Sequence, residues 1–316
     1  MRSVSAPVAF GSSRSRPGES HCTATHALRL PDGRVLCARR CPGTGERTLV
    51  ALHGLLDSSE GFSCLGERLT CPQVAFDLPG FGCSDLSTPG SIAGYASDVA
   101  DGLRLLGVER FTLVGHSLGG AVATALAELL PDRIDALVLL APAGFGRIGL
   151  AEAVSKPGVR QLLEVTLPLM LSNERFVSAA YQRIVSNHQM PAGGIVDRVT
   201  SRGGELAAGT REGTRAVVQA GRARDAFHHR RVRYRGPVDV VWGDRDRLVP
   251  PSHRHGVRKA LPQARIHLWH GIGHDPLREC FDEVSGLITQ SLGGAPPTRR
   301  PRRAKPTARR LSYATA

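Results

Sequence analysis

Lysine is almost missing from this 316-residue chain: of 41 basic residues only Lys156, Lys259 and Lys305 are lysine. A basic excess carried by arginine, in a chain this rich in glycine and alanine, reads as coding bias. The formal charge of +13 is therefore poor ground for a nucleic-acid partner. Aromatic residues are scarce too, at 5%. The basic stretches lack the interleaved rings on which single-stranded bases stack, so no nucleic acid is expected as a partner. No apolar run is long enough to cross a bilayer, and no membrane span is expected. Near the N-terminus the stretch Val4 to Phe10 is too short and interrupted for a secretory signal. Cysteine pairs spaced C-x-x-C are absent. The seven cysteines (Cys22, Cys37, Cys41, Cys64, Cys71, Cys83, Cys280) are odd in number, which leads to the expectation of reduced thiols in a cytoplasmic protein. Cys83 is expected to be a buried structural thiol.

What is present divides the chain into segments. Residues 1–20 are rich in Ser, Arg, Gly and Pro and are expected to be a disordered extension. Residues 21–142 and 236–292 alternate strand-like apolar runs with helical periodicity. The strands are read at His26–Arg29, Arg34–Ala38, Thr48–Leu52, Val74–Asp77, Phe111–Val114, Ala136–Leu140, Val238–Trp242 and Ile266–Trp269. The helices are read at Ser91–Leu106, Ala121–Leu130, Ser252–Ala260 and about Pro276–Gln290. This alternation predicts an α/β fold with a mostly parallel central sheet and helices on both faces. Residues 143–235 show helical pattern without clear strands and read as an inserted lid or cap over the strand ends. Residues 293–316 hold seven basic residues and no acid, and read as a disordered, solvated Arg-rich tail.

The residues with chemistry follow strands. Gly115-His116-Ser117-Leu118-Gly119 stands between a strand and a helix, the setting of a nucleophile elbow. With 36 glycines in the chain the pentad means little alone, and its value comes from its neighbours. A serine needs a base, and His274, in the turn Gly271-Ile272-Gly273-His274, is favoured over His267 and His270 beside it. The base needs a carboxylate. Asp246 is preferred to Asp244, which fits a turn residue or a partner of Arg245 or Arg247. The Leu118 amide at a helix start and the Leu55 amide after Thr48–Leu52 are the expected oxyanion donors. His53 is read as structural, its ring bonding backbone in the loop.

Five pieces in order (His53-Gly54, Asp77-Leu78-Pro79-Gly80-Phe81-Gly82, the pentad, Trp242-Gly243-Asp244-Arg245-Asp246 and Gly273-His274) resemble the alpha/beta-hydrolase fold family across about Ala24 to Gln290. The resemblance implies nucleophile Ser117, acid Asp246, base His274, oxyanion donors Leu55 and Leu118, and a cap built from the insert. No metal or organic cofactor is implied. Dehalogenases and epoxide hydrolases of this fold use an aspartate nucleophile, which serine argues against. The serine-type members include esterases, lipases, perhydrolases and carbon–carbon bond hydrolases. The last often carry an aromatic residue after the histidine, where Asp275 stands here. The expectation is a serine hydrolase acting on a small-molecule acyl ester. Carbon–carbon or perhydrolase chemistry on the same residues is the alternative, and a non-catalytic ligand-binding member a further one. The oligomeric state is not legible. The apolar run Leu162, Leu163, Val165, Leu167, Leu169, Met170, Leu171 reads either as the core of the cap's own helices or as a substrate contact. The Arg222–Arg235 cluster reads as solvated surface.

Overall fold

A computed structural model of the chain describes residues 8–9, 24–87, 90–149, 156–186, 194–207, 227 and 230–293. The Arg-rich tail beyond 293, Arg222 and Arg224, and the N-terminal extension apart from 8–9 lie outside these residues.

Nine strands form one sheet among the described residues: β1 (Val8–Ala9), β2 (Ala24–Arg29), β3 (Val35–Cys41), β4 (Thr48–Leu52), β5 (Gln73–Phe76), β6 (Phe111–His116), β7 (Ile134–Leu140), β8 (Val238–Gly243) and β9 (Arg265–Trp269). Their spatial order is β1-β2-β3-β5-β4-β6-β7-β8-β9. The first three pair antiparallel up to the β3–β5 edge, and the remaining pairs are parallel. The mostly parallel sheet read from the sequence is thus what forms.

Side chains alternate across the strands and feed two cores. Val50, Leu52, Leu113, Leu137, Leu139, Val240 and Trp242 join one cluster. Leu49, Ala51, Val114, Val138, Leu140 and Val241 join the other. A strand buried on both faces is mostly apolar, which is why these segments read as apolar runs, broken by the buried Thr112 on β6 and Asp239 on β8. Nine α-helices are described: α1 (Cys64–Arg68), α2 (Ile92–Leu105), α3 (Leu118–Leu129), α4 (Pro157–Leu171), α5 (Glu174–Ala180), α6 (Ile195–Ala207), α7 (Arg254–Ala260), α8 (Pro276–Glu279) and α9 (Phe281–Leu292). Helices α2, α3 and α7 cover the first face, and α1 and α9 the second. Helix α2 starts where Ser91 Oγ accepts the Gly94 N–H at 3.0 Å, and it buries Ile92, Tyr95, Val99 and Leu103 at helical spacing. Truncating one such residue, Val99 or Leu103, removes contacts of a kind worth about 2–5 kcal/mol for a buried leucine. The helix expected over about Pro276–Gln290 is broken at Cys280 into α8 and α9.

The inserted segment between β7 and β8 supplies α4, α5, a π-helical turn at Tyr181–Val185, and α6. Leu171, Val177, Tyr181, Ile195 and Val199 form its own small core. The long apolar run of α4 divides: Leu167 and Leu171 pack inward, whereas Leu162 and Leu169 are each 64% exposed. The side chains of Leu163 and Val165 lie outside the described set.

The expectation of reduced thiols is corrected. Cys37 and Cys83 form a disulfide, and Cys41 is disulfide-bonded as well. Cys64, Cys71 and Cys280 are free. Cys37 lies on β3, next to β5, and the loop after β5 folds back along β3 through Asp85 N–H to the Val35 carbonyl at 2.8 Å. That return brings Cys83 to Cys37 across 46 residues, a pairing with no trace in cysteine spacing. Cys83 is an exposed, bridged residue rather than a buried thiol. Cysteine usage therefore no longer speaks for a reducing compartment. No described helix is long and apolar enough to cross a membrane.

Candidate active site

The parallel strands β4, β6, β8 and β9 end on one side of the sheet, and every expected site residue sits just past one of those ends. Ser117 occupies the turn between β6 and α3 with φ 52° and ψ −113°, a conformation that side chains rarely adopt. Backbone bonds hold it there: its N–H donates to Leu140 at 2.9 Å, and its carbonyl accepts from Ala143 at 2.9 Å and Gly120 at 3.0 Å. The flanking glycines are needed for close approach. A Cβ on Gly119 would lie 2.1 Å from the Leu52 carbonyl oxygen, and one on Gly115 2.4 Å from that of Gly119.

Three side chains meet. Ser117 Oγ lies 2.8 Å from His274 Nε2, and His274 Nδ1 lies 2.7 Å from Asp246 Oδ2. All three residues are buried. With Asp246 accepting at Nδ1, the neutral ring carries its proton there and leaves Nε2 to accept from the serine hydroxyl. The second oxygen of Asp246 accepts from the Leu248 and Val249 amides at 2.9 and 2.8 Å, which fixes the carboxylate. Burial disfavours charge on His274, but the Asp246 carboxylate and its hydrogen bond outweigh this and raise the pKa above its ordinary 6.5. Asp244 takes other partners: His270 Nδ1 at 2.6 Å and the Gly271 N–H at 2.8 Å. His267 bonds Asp239 at 2.8 Å. Neither alternative histidine reaches the serine.

Leu118 opens α3, where a helix's first amides have no intrahelical acceptor. Leu55 borders the cavity above Ser117. His53 is structural, as read. Its Nε2 accepts the Leu78 N–H at 2.9 Å, which leaves Nδ1–H to donate to the Gly54 carbonyl at 2.7 Å.

Several residues near the site were not read from the sequence. His116, the variable residue of the pentad before the serine, donates from Nε2 to the His274 carbonyl at 2.8 Å. Burial lowers its pKa, so the ring is neutral. Glu279 grips the same loop, accepting from Gly273 N–H at 2.8 Å and Asp275 N–H at 3.1 Å. Burial raises its carboxyl to about 7. The backbone N–H of His274 donates to the Val185 carbonyl of the insertion at 2.5 Å.

A buried ion network lies alongside. Arg278 donates to Asp275 at 2.6 Å and to Asp57 at 2.8 Å. From the insertion, Arg198 donates to Asp57 and Tyr181 Oη–H to Asp275, both at 2.7 Å. Burial raises the pKa of both carboxyls, but the arginines overcome it and hold each below the usual range. Asp57 and Arg278 lie a few residues beyond Leu55 and His274, on loops the motifs already mark. Their mutual contact is a product of topology.

The cavity above Ser117 has a volume of about 230 Å³. Its floor is Gly54, Ser117 and His274, and its upper wall is Leu171, Phe176, Val177, Tyr181 and Ile195 of the insertion. A larger hollow, about 410 Å³, lies at the other end of the sheet around Arg40, Gly43 and Gln73. It contains none of the groups just described, and ligands of open parallel sheets bind at the carboxyl ends of strands.

These features define a hydrolase fold with a strained turn at Ser117 between β6 and α3. The chain belongs to the alpha/beta hydrolase fold family, whose pattern matches residues 47–277. It is 31% identical over 256 residues to an uncharacterized protein of Mycobacterium tuberculosis, covering 77% of this chain and 74% of that one. It is 27% identical to Lipase 1 of Psychrobacter immobilis, covering 82% and 81%. A 2-hydroxy-6-oxononadienedioate/2-hydroxy-6-oxononatrienedioate hydrolase of Paraburkholderia phymatum is also 27% identical, with 79% and 88% covered. Among solved structures, a putative aryl esterase from Burkholderia cenocepacia superposes with a TM-score of 0.67 at 24% identity, covering 85% and 99%.

Proposed function

We propose that the protein is a serine hydrolase that cleaves a neutral, largely apolar carboxylic ester through an acyl-enzyme, with residues 143–235 acting as its cap. The observation that carries this is the 2.8 Å approach of His274 Nε2 to Ser117 Oγ on the floor of an apolar cavity. His274 takes the serine proton as Oγ attacks the ester carbonyl. The negative charge that develops on the carbonyl oxygen rests on the Leu55 and Leu118 amides. Collapse of the tetrahedral intermediate breaks the carbon–oxygen bond to the alcohol, which leaves with the proton held by His274. A water then loses its proton to His274, attacks the acyl carbon, and the acid departs as the proton returns to Ser117. Asp246 fixes the ring and stabilises the imidazolium in both halves.

The cavity's charge favours an ester over the dioate substrates named for the Paraburkholderia relative. A dianionic substrate calls for an unpaired cation. Arg278, the one cation among the described lining residues, is committed to Asp57 and Asp275. Arg198, next to it, is committed to Asp57. An acyl chain meets Leu171, Val177, Ile195 and Val199 instead.

The test is hydrolysis of p-nitrophenyl esters of graded chain length by the protein and by Ser117→Ala. Turnover should fall by about 10³-fold or more in the variant. Unchanged turnover in Ser117→Ala, or no turnover of any ester, would remove the proposal.

A further inference from the structure

Helix α4 carries an apolar face that nothing in the proposed reaction uses. Val159 and Met170 are 37% exposed, and Leu162 and Leu169 are 64% exposed. At helical periodicity these four lie within an arc of about 100°, one stripe along the helix interrupted by Thr166. The inner side of the same helix is also apolar, with Leu167 and Leu171 in the core of the insertion. The C-terminal end of the stripe, Met170, adjoins Leu171, which lines the cavity. So do Phe176, Ile184 and Leu55, which are 41%, 44% and 38% exposed. Clustered exposed apolar side chains of this kind mark interaction surfaces.

Charge selects the occupant. Residues 143–235 hold fifteen arginine and lysine residues against seven aspartate and glutamate. Lys156 at the start of α4 and Arg175 and Arg183 beside the lip are exposed, against Glu174 there and Asp197 on α6. A second copy of the chain would set like charge against like charge. An anionic bilayer offers hydrocarbon to the stripe and opposite charge to Lys156, Arg175 and Arg183, the combination by which amphipathic helices lie in a lipid interface. We infer that the outer face of α4, with the exposed lip formed by Phe176, Ile184 and Leu55, docks on an anionic lipid surface. Docking turns the cavity mouth toward the bilayer. The inference goes beyond the ester-hydrolase reading and is measured without turnover, so either can fail alone.

The test is flotation with vesicles of phosphatidylcholine and of phosphatidylcholine mixed with phosphatidylglycerol. The protein should bind the mixed vesicles about tenfold more tightly than the neutral ones, and less tightly as salt rises. The double variant Leu162→Asp, Leu169→Asp should lose binding by about tenfold or more while its circular dichroism and its turnover of a soluble short-chain ester stay unchanged. If that variant misfolds, Leu162→Gln with Leu169→Gln carries the same test. Failure of the unmodified protein to bind mixed vesicles overturns the inference, as does equal binding by a folded variant. A dimer in size-exclusion chromatography that the variant dissolves also overturns it and gives the face to a second copy.

Discussion

The floor and the upper wall of the cavity are built by different means. The floor is backbone geometry: Ser117 is forced into its turn by β6, α3 and two glycines that no larger residue can replace. Asp246 and His274 follow adjacent strands, β8 and β9, so strand pairing brings their loops side by side, and the Leu248 and Val249 amides and Glu279 then fix the two loops. The upper wall is held by side chains. Arg198 and Tyr181 reach from the insertion to Asp57 and Asp275, and Arg278 joins the two carboxylates. Val185 adds one backbone bond to His274. In the proposed reaction the floor carries the chemistry, whereas the wall holds the insertion over it and braces the histidine loop.

The sharpest division between them comes from Asp246→Asn. It should cut kcat/KM by about 10⁴-fold, because an asparagine amide favours the wrong tautomer of His274. The melting temperature should hardly move, since an asparagine oxygen can still accept from Leu248 and Val249. Arg198→Ala should do the reverse. Breaking a buried pair and leaving Asp57 with one partner costs about 3–5 kcal/mol, visible in a thermal melt. The loss of rate should be well short of that for Asp246→Asn. Tyr181→Phe removes one hydrogen bond and should cost about 1–2 kcal/mol, with less than a tenfold change in rate. A loss in rate from Arg198→Ala equal to that from Asp246→Asn would erase the distinction between floor and wall.

Acidity gives the smallest effect. In the proposed reaction His274 must be neutral to accept the serine proton, and its pKa is raised above 6.5. The rate should therefore rise with pH along a limb centred above 6.5. The charged ring's contribution to stability has the opposite sense: it is fully present below 6.5 and is lost as pH rises through the folded value. Activity should grow across the window in which that part of the stability declines. A limb centred at or below 6.5 would mean that burial outweighs Asp246.

The difference between floor and wall also decides what was legible in the sequence. Gly115, Gly119 and Ser117 were readable because a strained turn admits few residue types. The strands were readable because burial on both faces leaves unbroken apolar runs such as Ala136–Leu140. Asp246 and His274 were readable because they follow strands. The network of Asp57, Arg198, Arg278 and Tyr181 was not, because its members lie on four segments and no local pattern announces which arginine of so many is buried. The Cys37–Cys83 bridge escaped for the same reason, since the return of the loop after β5 along β3 makes it. The exposed stripe of α4 was seen as an apolar run, but periodicity cannot say whether an apolar face is covered.

The most direct measurement of the central claim is mass spectrometry of the protein after reaction with a fluorophosphonate. A single phosphonyl adduct on the peptide containing Ser117, abolished in both Ser117→Ala and His274→Ala, is the predicted result. No adduct on the unmodified protein, or an adduct at another residue that survives Ser117→Ala, would contradict it.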